Sequence, residues 1–322
     1  MADLLVISNG KGEDYVAARV LERLRELAPG LSVQAFPLVG LGEQLAAAGL
    51  EVVGPRKAMP SGGFTMHSAE LLRRDVRAGL IGLTLAQARF LLGQVPRGVF
   101  VVGDVYAQAH ASLVRAPRRV LQTLVSVHHG GGEGPGMRWF MEGFRPPEMW
   151  LLRRAQRVYA RDQATADWLA RARVPATWLG NPMMDGLAAS PLLPRDQSRL
   201  PVVALLPGSR GQAAASLAVM RRALELASPV VGVVAWAGSG VPERPEGWVP
   251  DDAAPPGMAA AWRRGERRLW VTVGRFPSVL ASADAVLGTA GTANEQAVGL
   301  GLPVVAFPVP PFYGEAYMRN QK

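Results

Sequence analysis

The sequence has 322 residues, which suits two domains of about 150 residues each, and 49% of them are hydrophobic against 7% aromatic, enough apolar material for two buried cores. No cysteine is present, which excludes disulfides, thiolate metal sites and a cysteine nucleophile. The net charge of +9 is uneven: residues up to Gly180 hold 22 basic and 15 acidic side chains, a net of +7, and the remainder 13 and 11, a net of +2. A basic half suits anionic lipid heads, phosphorylated sugars or nucleic acid, although an arginine-rich composition produces the same balance without any partner. The start, Met1-Ala2-Asp3-Leu4-Leu5, has no basic leader or cleavage site. No apolar run approaches the length of a membrane span, so neither a signal peptide nor a transmembrane helix is expected.

In chain order, Leu4–Ile7 reads as a buried strand closed by Ser8-Asn9-Gly10. Glu13-Asp14 opens an amphipathic helix with Val16, Val20, Leu24 and Leu27 on one face. Further strands are predicted at 32–37, 98–102, 119–125 and 157–160, with helical patterns between most of them. Residues 71–92 stand apart as a helical region with several arginines and a wide apolar face. That face suits a membrane interface, or else an ordinary core. The second half repeats the alternation, with strands at 201–206, 230–236, 269–273, 285–287 and 304–307 and a helix over 213–226. Two prolines in Ser190–Ser198 mark an exposed linker, and 238–257 reads as a surface loop. Strands alternating with helices predict parallel, doubly wound sheets, in domains 1–185 and 186–322.

Leu205-Leu206-Pro207-Gly208-Ser209-Arg210-Gly211 is a strand–turn–helix junction whose glycines admit a ligand close to the backbone. The free N–H groups of the following helix favour a diphosphate there, with Ser209 and Arg210 adding a hydroxyl and a cation. Gly288–Gln296 repeats the design, with Gly291 and Thr292 at a helix N-terminus and Glu295 or Gln296 one turn in, placed for ribose hydroxyls. Each turn read singly is also an ordinary strand–helix connection. Together on one sheet they point to a nucleotide-sugar site. Gly274-Arg275-Phe276, also between strand and helix, offers backbone to the edge of a base.

In the first half, Ser8–Asp14 is neither a P-loop nor a dinucleotide fingerprint, but Gly10, Lys11 and Gly12 suit an anionic or sugar acceptor. Asp104 ends a strand and is placed either to take a proton from an acceptor hydroxyl or to cap the next helix. His128, His129 and Glu133 are rival bases. The spacing of the four histidines gives no metal site, and His67 and His110 carry no readable role.

At these turns the chain resembles a known family. Leu205–Gly211 resembles the Leu-Leu-Pro-Gly-Ser-Arg-Gly signature of lipid-A-disaccharide synthases. Ala283–Leu287, Gly291–Ala293 and Leu302–Val305 resemble that family's donor segment. Arg157–Tyr159 and Leu179–Pro182 resemble its run before the linker, and Ser8–Asp14 its N-terminal glycine turn. The likeness is nearest to the lipid-A-disaccharide synthase-related branch. It implies a GT-B fold: two Rossmann-like α/β domains whose parallel sheets face an interdomain cleft. It implies a UDP-linked amino sugar as donor and a lipid-linked or envelope acceptor, with inversion, no cofactor, no essential metal and no nucleic acid. Gly208–Gly211 and Gly291-Thr292 would then hold the diphosphate, with Gly274-Arg275-Phe276 near the uracil.

Departures accompany the likeness. Gly180-Asn181-Pro182 stands where the family has Gly-His-Pro, and the ribose glutamate falls on Gln296, one place after Glu295. Asp104 in Gly103–Gln108 matches the family's aspartate segment approximately. The last residues, Met318–Lys322, read as a helix in progress, as in a shortened form or a short second domain. The expected activity is an inverting, metal-independent hexosyl transfer from a UDP-sugar with Asp104 as base, in the cytoplasm or peripherally on the inner face of the cytoplasmic membrane. A non-hydrolysing UDP-sugar epimerase and a catalytically silent nucleotide-sugar-binding envelope protein are the alternatives.

Overall fold

The computed structural model describes residues 2–60, 69–123, 125–128, 144, 146–193, 200–208, 212–238, 240–289 and 291–309. The chain divides into two compact units, Met1–Met183 and Met184–Lys322.

The first unit contains β1 (Leu4–Ser8), α1 (Lys11–Leu27), β2 (Val33–Pro37), α2 (Glu43–Ala47), β3 (Glu51–Val52), α3 (Ala69–Arg77), α4 (Leu80–Leu92) and β4 (Gly98–Val102). It continues with α5 (Val105–Ala111), β5 (Arg118–Leu121), α6 (Pro146–Leu152), β6 (Arg157–Tyr159), α7 (Gln163–Arg171) and β7 (Ala176–Thr177). The seven strands form one parallel sheet in the order β3-β2-β1-β4-β5-β6-β7. Alternation explains why β1 lies at its centre. Leu5 and Ile7 enter the core on one face, and Val6 enters the core on the other. Chain order reverses between β1 and β4, so the crevice at their carboxyl ends is this sheet's switch point.

The second unit contains β8 (Val202–Leu206), α8 (Ala213–Leu226), β9 (Val231–Trp236), β10 (Val249–Pro250), β11 (Ala260–Arg264) and β12 (Arg267–Val273). After these come α9 (Phe276–Ser282), β13 (Ala285–Gly288), α10 (Gly291–Gly299) and β14 (Val304–Ala306). The order is β10-β11-β12-β9-β8-β13-β14. Val202, Ala204 and Leu206 of β8 pack into one core and Leu205 into the other. Here the switch point lies between β8 and β13.

Several expectations need correction. The strand expected to reach Val125 ends at Leu121, one residue before Gln122 makes its last backbone bond to the neighbouring strand, at the Tyr159 carbonyl. The supposed surface loop 238–257 contains β10, which pairs antiparallel with β11, and β11 pairs antiparallel with β12. Trp248 and Asp251 are buried there, as is Trp262 of β11, with the Asp251 carboxylate accepting from Arg268 and from the Trp270 indole. The segment thus supplies the edge strand of the sheet. In α1 the fully buried stripe is Val16, Ala17, Ala18 and Leu21, while Leu27 is 70% exposed beyond it. Region 71–92 is two helices, broken at Gly79. The α4 side chains Leu83, Gln87 and Leu91 are buried, and Ile81, Leu85 and Leu92 are exposed.

Candidate functional site

In the second unit the two glycine turns leave the adjacent strands β8 and β13. Gly288 pairs with Leu206 in register, and the Thr289 N–H donates to the Leu206 carbonyl at 3.0 Å. The Thr289 hydroxyl then donates to the Pro207 carbonyl at 3.1 Å and lies 3.0 Å from the Ser216 hydroxyl in the first turn of α8. With its proton on Pro207, Thr289 accepts from Ser216, so one buried threonine ties both turns and one helix start together. Gly208, beside this tie, is half-buried. Ser209, Arg210 and Gly211 lie outside the described residues.

Gly291 and Thr292, both half-buried, open α10. Behind them Asn294 is buried and its amide donates to the Gly288 carbonyl at 3.2 Å. A Cβ on Gly288 would stand 2.0 Å from Asn294 Oδ1, so only glycine allows this approach of helix to strand. Glu295 is exposed and Gln296 buried, as their roughly 100° separation around the helix requires. Gly274 follows β12 at the same edge of the sheet. The Arg275 guanidinium donates to the Pro256 carbonyl at 3.2 Å, and Phe276 packs against the core.

In the first unit the switch point between β1 and β4 collects polar side chains. Gly103 has φ +147°, and a Cβ there would stand 2.9 Å from Asn9 Cβ, so glycine brings the end of β4 against the turn after β1. Asp104 is buried and caps α5: its Oδ1 accepts from the Tyr106 N–H at 2.9 Å and from the Asn9 amide at 2.8 Å. Burial pushes its carboxyl up despite these donors. Gly10 precedes α1, which Lys11 and Gly12 begin, with Lys11 exposed. Asp14 in the same turn is buried, accepts from the Ser8 hydroxyl at 2.5 Å and is raised by burial to about 7.

A third carboxyl, Glu148 of α6, is buried nearby. Its Oε1 accepts from the Gln122 amide at 2.5 Å and the Gln108 amide at 3.2 Å. Burial, together with the charge of Asp104, raises it to about 7. Sequence patterns carried no signal for Glu148, because its partners lie 26 and 40 residues away. Asn9, Asp14 and Asn294 stood inside quoted motifs, but their contacts depend on the fold.

His128 is exposed, with Nε2 at 3.8 Å from Asp162 Oδ1. Desolvation opposes ionisation of Asp162, but hydrogen bonds from Ser126 and Thr165, with His128 beside it, hold the carboxyl low. His129 and Glu133 lie outside the described residues. A cavity of about 20 Å³, room for one water molecule, is lined by Gln122, Thr123, Arg161 and Asn181. The Asn181 side-chain oxygen accepts from the Met183 N–H at 3.0 Å. Among the described residues no three metal-ligating side chains cluster, and no helix is long and apolar enough to cross a membrane.

No protein-family model matches the sequence, and neither does any curated protein sequence. Solved structures do match. UGT89C1 of Arabidopsis thaliana, complexed with UDP-L-rhamnose, aligns with a TM-score of 0.56 at 12% identity over 100% of this chain and 82% of its own. MurG of Acinetobacter baumannii aligns at 0.53 and 13% identity over 99% and 82%. The chain has the GT-B fold. A UDP-N-acetylglucosamine 2-epimerase also aligns, at 0.51 and 14% identity over 95% and 78%.

Proposed function

We propose that this GT-B chain is an inverting glycosyltransferase. It moves a sugar of the N-acetylglucosamine type from UDP to a lipid or cell-envelope acceptor, as the resemblance to lipid-A-disaccharide synthases implies. The observation that carries the reading is the Thr289–Pro207 hydrogen bond, which joins the turns after β8 and β13 at the switch point of the second sheet. A diphosphate held there faces the backbone beside Gly208 and the N-terminus of α10 at Gly291 and Thr292, whose free N–H groups stabilise the departing UDP. The ribose contact belongs to Glu295, because Gln296 is buried. Gly274-Arg275 presents backbone to the base.

Asp104 is the proposed base. It accepts the proton of the acceptor hydroxyl as that oxygen attacks the anomeric carbon and the bond to UDP breaks. Burial raises the Asp104 carboxyl, which makes its anion a stronger base than an ordinary carboxylate. Gly10, Lys11 and Gly12, at the first sheet's switch point with Asp104, belong to the acceptor side. His128 and, by sequence, His129 and Glu133 stand as the rival base cluster. The exposed α4 face is the proposed contact with the inner leaflet.

Labelled UDP-N-acetylglucosamine with a lipid acceptor tests the reading. Label in lipid is expected. Label in an altered free nucleotide sugar would instead support epimerisation, which the epimerase likeness keeps in view. Saturable binding without any product would assign a silent binding protein. Asp104→Asn should lower turnover by roughly 100-fold or more while melting close to wild type, since asparagine also caps helices. Unchanged turnover would remove Asp104 as base.

A further inference from the structure

The carboxyl of Glu148 sits in a pocket whose hydrogen-bonding inventory is unbalanced. Gln122 directly follows β5, and Gln108 lies on α5 one turn after Asp104, with its N–H donating to the Asp104 carbonyl at 3.1 Å. Both amides give their Nε2 protons to the same oxygen, Glu148 Oε1. Their own oxygens, Gln108 Oε1 and Gln122 Oε1, are buried with no donor among the described residues. An ionised glutamate adds only acceptors to this set. A protonated one adds the O–H donor that the pocket lacks.

The charges around it point the same way. From α5 come Asp104, Tyr106 and His110. The His110 ring is held at 3.0 Å from the Tyr106 carbonyl, and burial pushes it toward the neutral form. The Tyr106 hydroxyl is 3.0 Å from the Thr84 hydroxyl of α4, and burial, with Asp104 beside it, keeps the phenol protonated. The end of β5 brings the neutral Gln122, and Arg153 and Arg154 follow the far end of α6 itself. Across Asn9, α1 brings Lys11 and Asp14. Among the described residues no cation forms an ion pair with Glu148, and the charge that acts on its carboxyl is the negative Asp104, which raises it.

We infer that Glu148 is a positioning residue for Asp104, held as a neutral acid by Gln108 and Gln122 so that the Asp104 carboxylate forms without a second charge behind it. This rests on the reading of Asp104 as the base. The two carboxyls titrate as a coupled pair, so each inflection belongs to both groups. Coupling is reciprocal: the charge of Asp104 retains the proton on Glu148, and ionisation of Glu148 strengthens Asp104 as a base.

Carboxyl-selective 13C NMR titration of the full chain tests this without ligand or turnover. Asp104→Asn assigns the Asp104 signal. The expected result is a Glu148 titration near 7, a second inflection of the Asp104 signal at the same pH, and loss of that inflection in Glu148→Gln. The pH profile of kcat/KM should lose the matching step in the same variant. A Glu148 signal titrating in the ordinary range near 4.5, or an Asp104 signal unmoved near neutral pH, overturns the inference. Both can be read in the wild-type chain, even if Glu148→Gln does not fold. Unchanged turnover in Asp104→Asn would defeat the base assignment alone and leave the coupling result standing.

Discussion

At the scale of single residues, the site is built from close approaches that only particular side chains permit. Gly288 and Asn294 are the clearest pair. A Cβ at 2.0 Å from Asn294 Oδ1 and 2.9 Å from its Cγ cannot be accommodated without moving the buried amide. Gly288→Ala should therefore cost about 1–3 kcal/mol in urea unfolding, and should weaken UDP binding because α10 shifts with Asn294. The double variant Gly288→Ala, Asn294→Ala should recover much of that loss. Additive losses in the two single variants would show that the contact is not the cause. This glycine was legible in the sequence as part of a Gly-rich turn. The reason for it was not, since the atom it makes room for arrives from the next helix.

At the scale of elements, α4 carries one buried face and one exposed apolar face. Leu83, Gln87 and Leu91 recur at the i, i+4, i+8 spacing and are buried, with the Gln87 amide donating to the Leu38 carbonyl at 2.8 Å. Ile81, Leu85 and Leu92 are 60%, 66% and 66% exposed, beside the exposed Arg89 and downstream of Arg73 and Arg77. Sequence periodicity identified a wide apolar face but could not divide it between core and surface, because the buried half carries the polar Gln87 while the exposed half carries the apolar Ile81, Leu85 and Leu92. If the outer half enters anionic lipid, replacing Ile81, Leu85 and Leu92 by serine should reduce sedimentation with phosphatidylglycerol vesicles by at least about tenfold. Melting should stay close to wild type. Equal sedimentation of the variant would remove this helix as the contact. The arginines should make binding weaken as salt rises.

At the scale of the whole molecule, the first unit concentrates buried acids and its stability should follow them. Asp14 and Glu148 are each raised to about 7. Between their ordinary carboxyl range and 7 the folded unit binds protons that the unfolded chain has released, so stability falls as pH rises across that window and levels off above it. Each group accounts for a change on the order of 3 kcal/mol. Urea midpoints should therefore decline from pH 4.5 to 7.5, and Asp14→Asn with Glu148→Gln should flatten the slope. A midpoint that rises over this range would contradict protonated carboxyls in the folded state. By itself the sequence determined the alternation of strands and helices, the burial of β1 and β8 on both faces, and the glycine turns at strand ends. Those features are written in patterns of period 2 and 3.6 and in residue types whose backbone preferences act locally. Only the tertiary structure decided that 238–257 hides an antiparallel edge and that Thr289 ties two turns together. The same holds for the join of Asn9 to Asp104 across 95 residues and for the lodging of Glu148 between two glutamines. Such contacts form between segments far apart in the chain, and a polar side chain reads alike in sequence whether water or a buried partner awaits it.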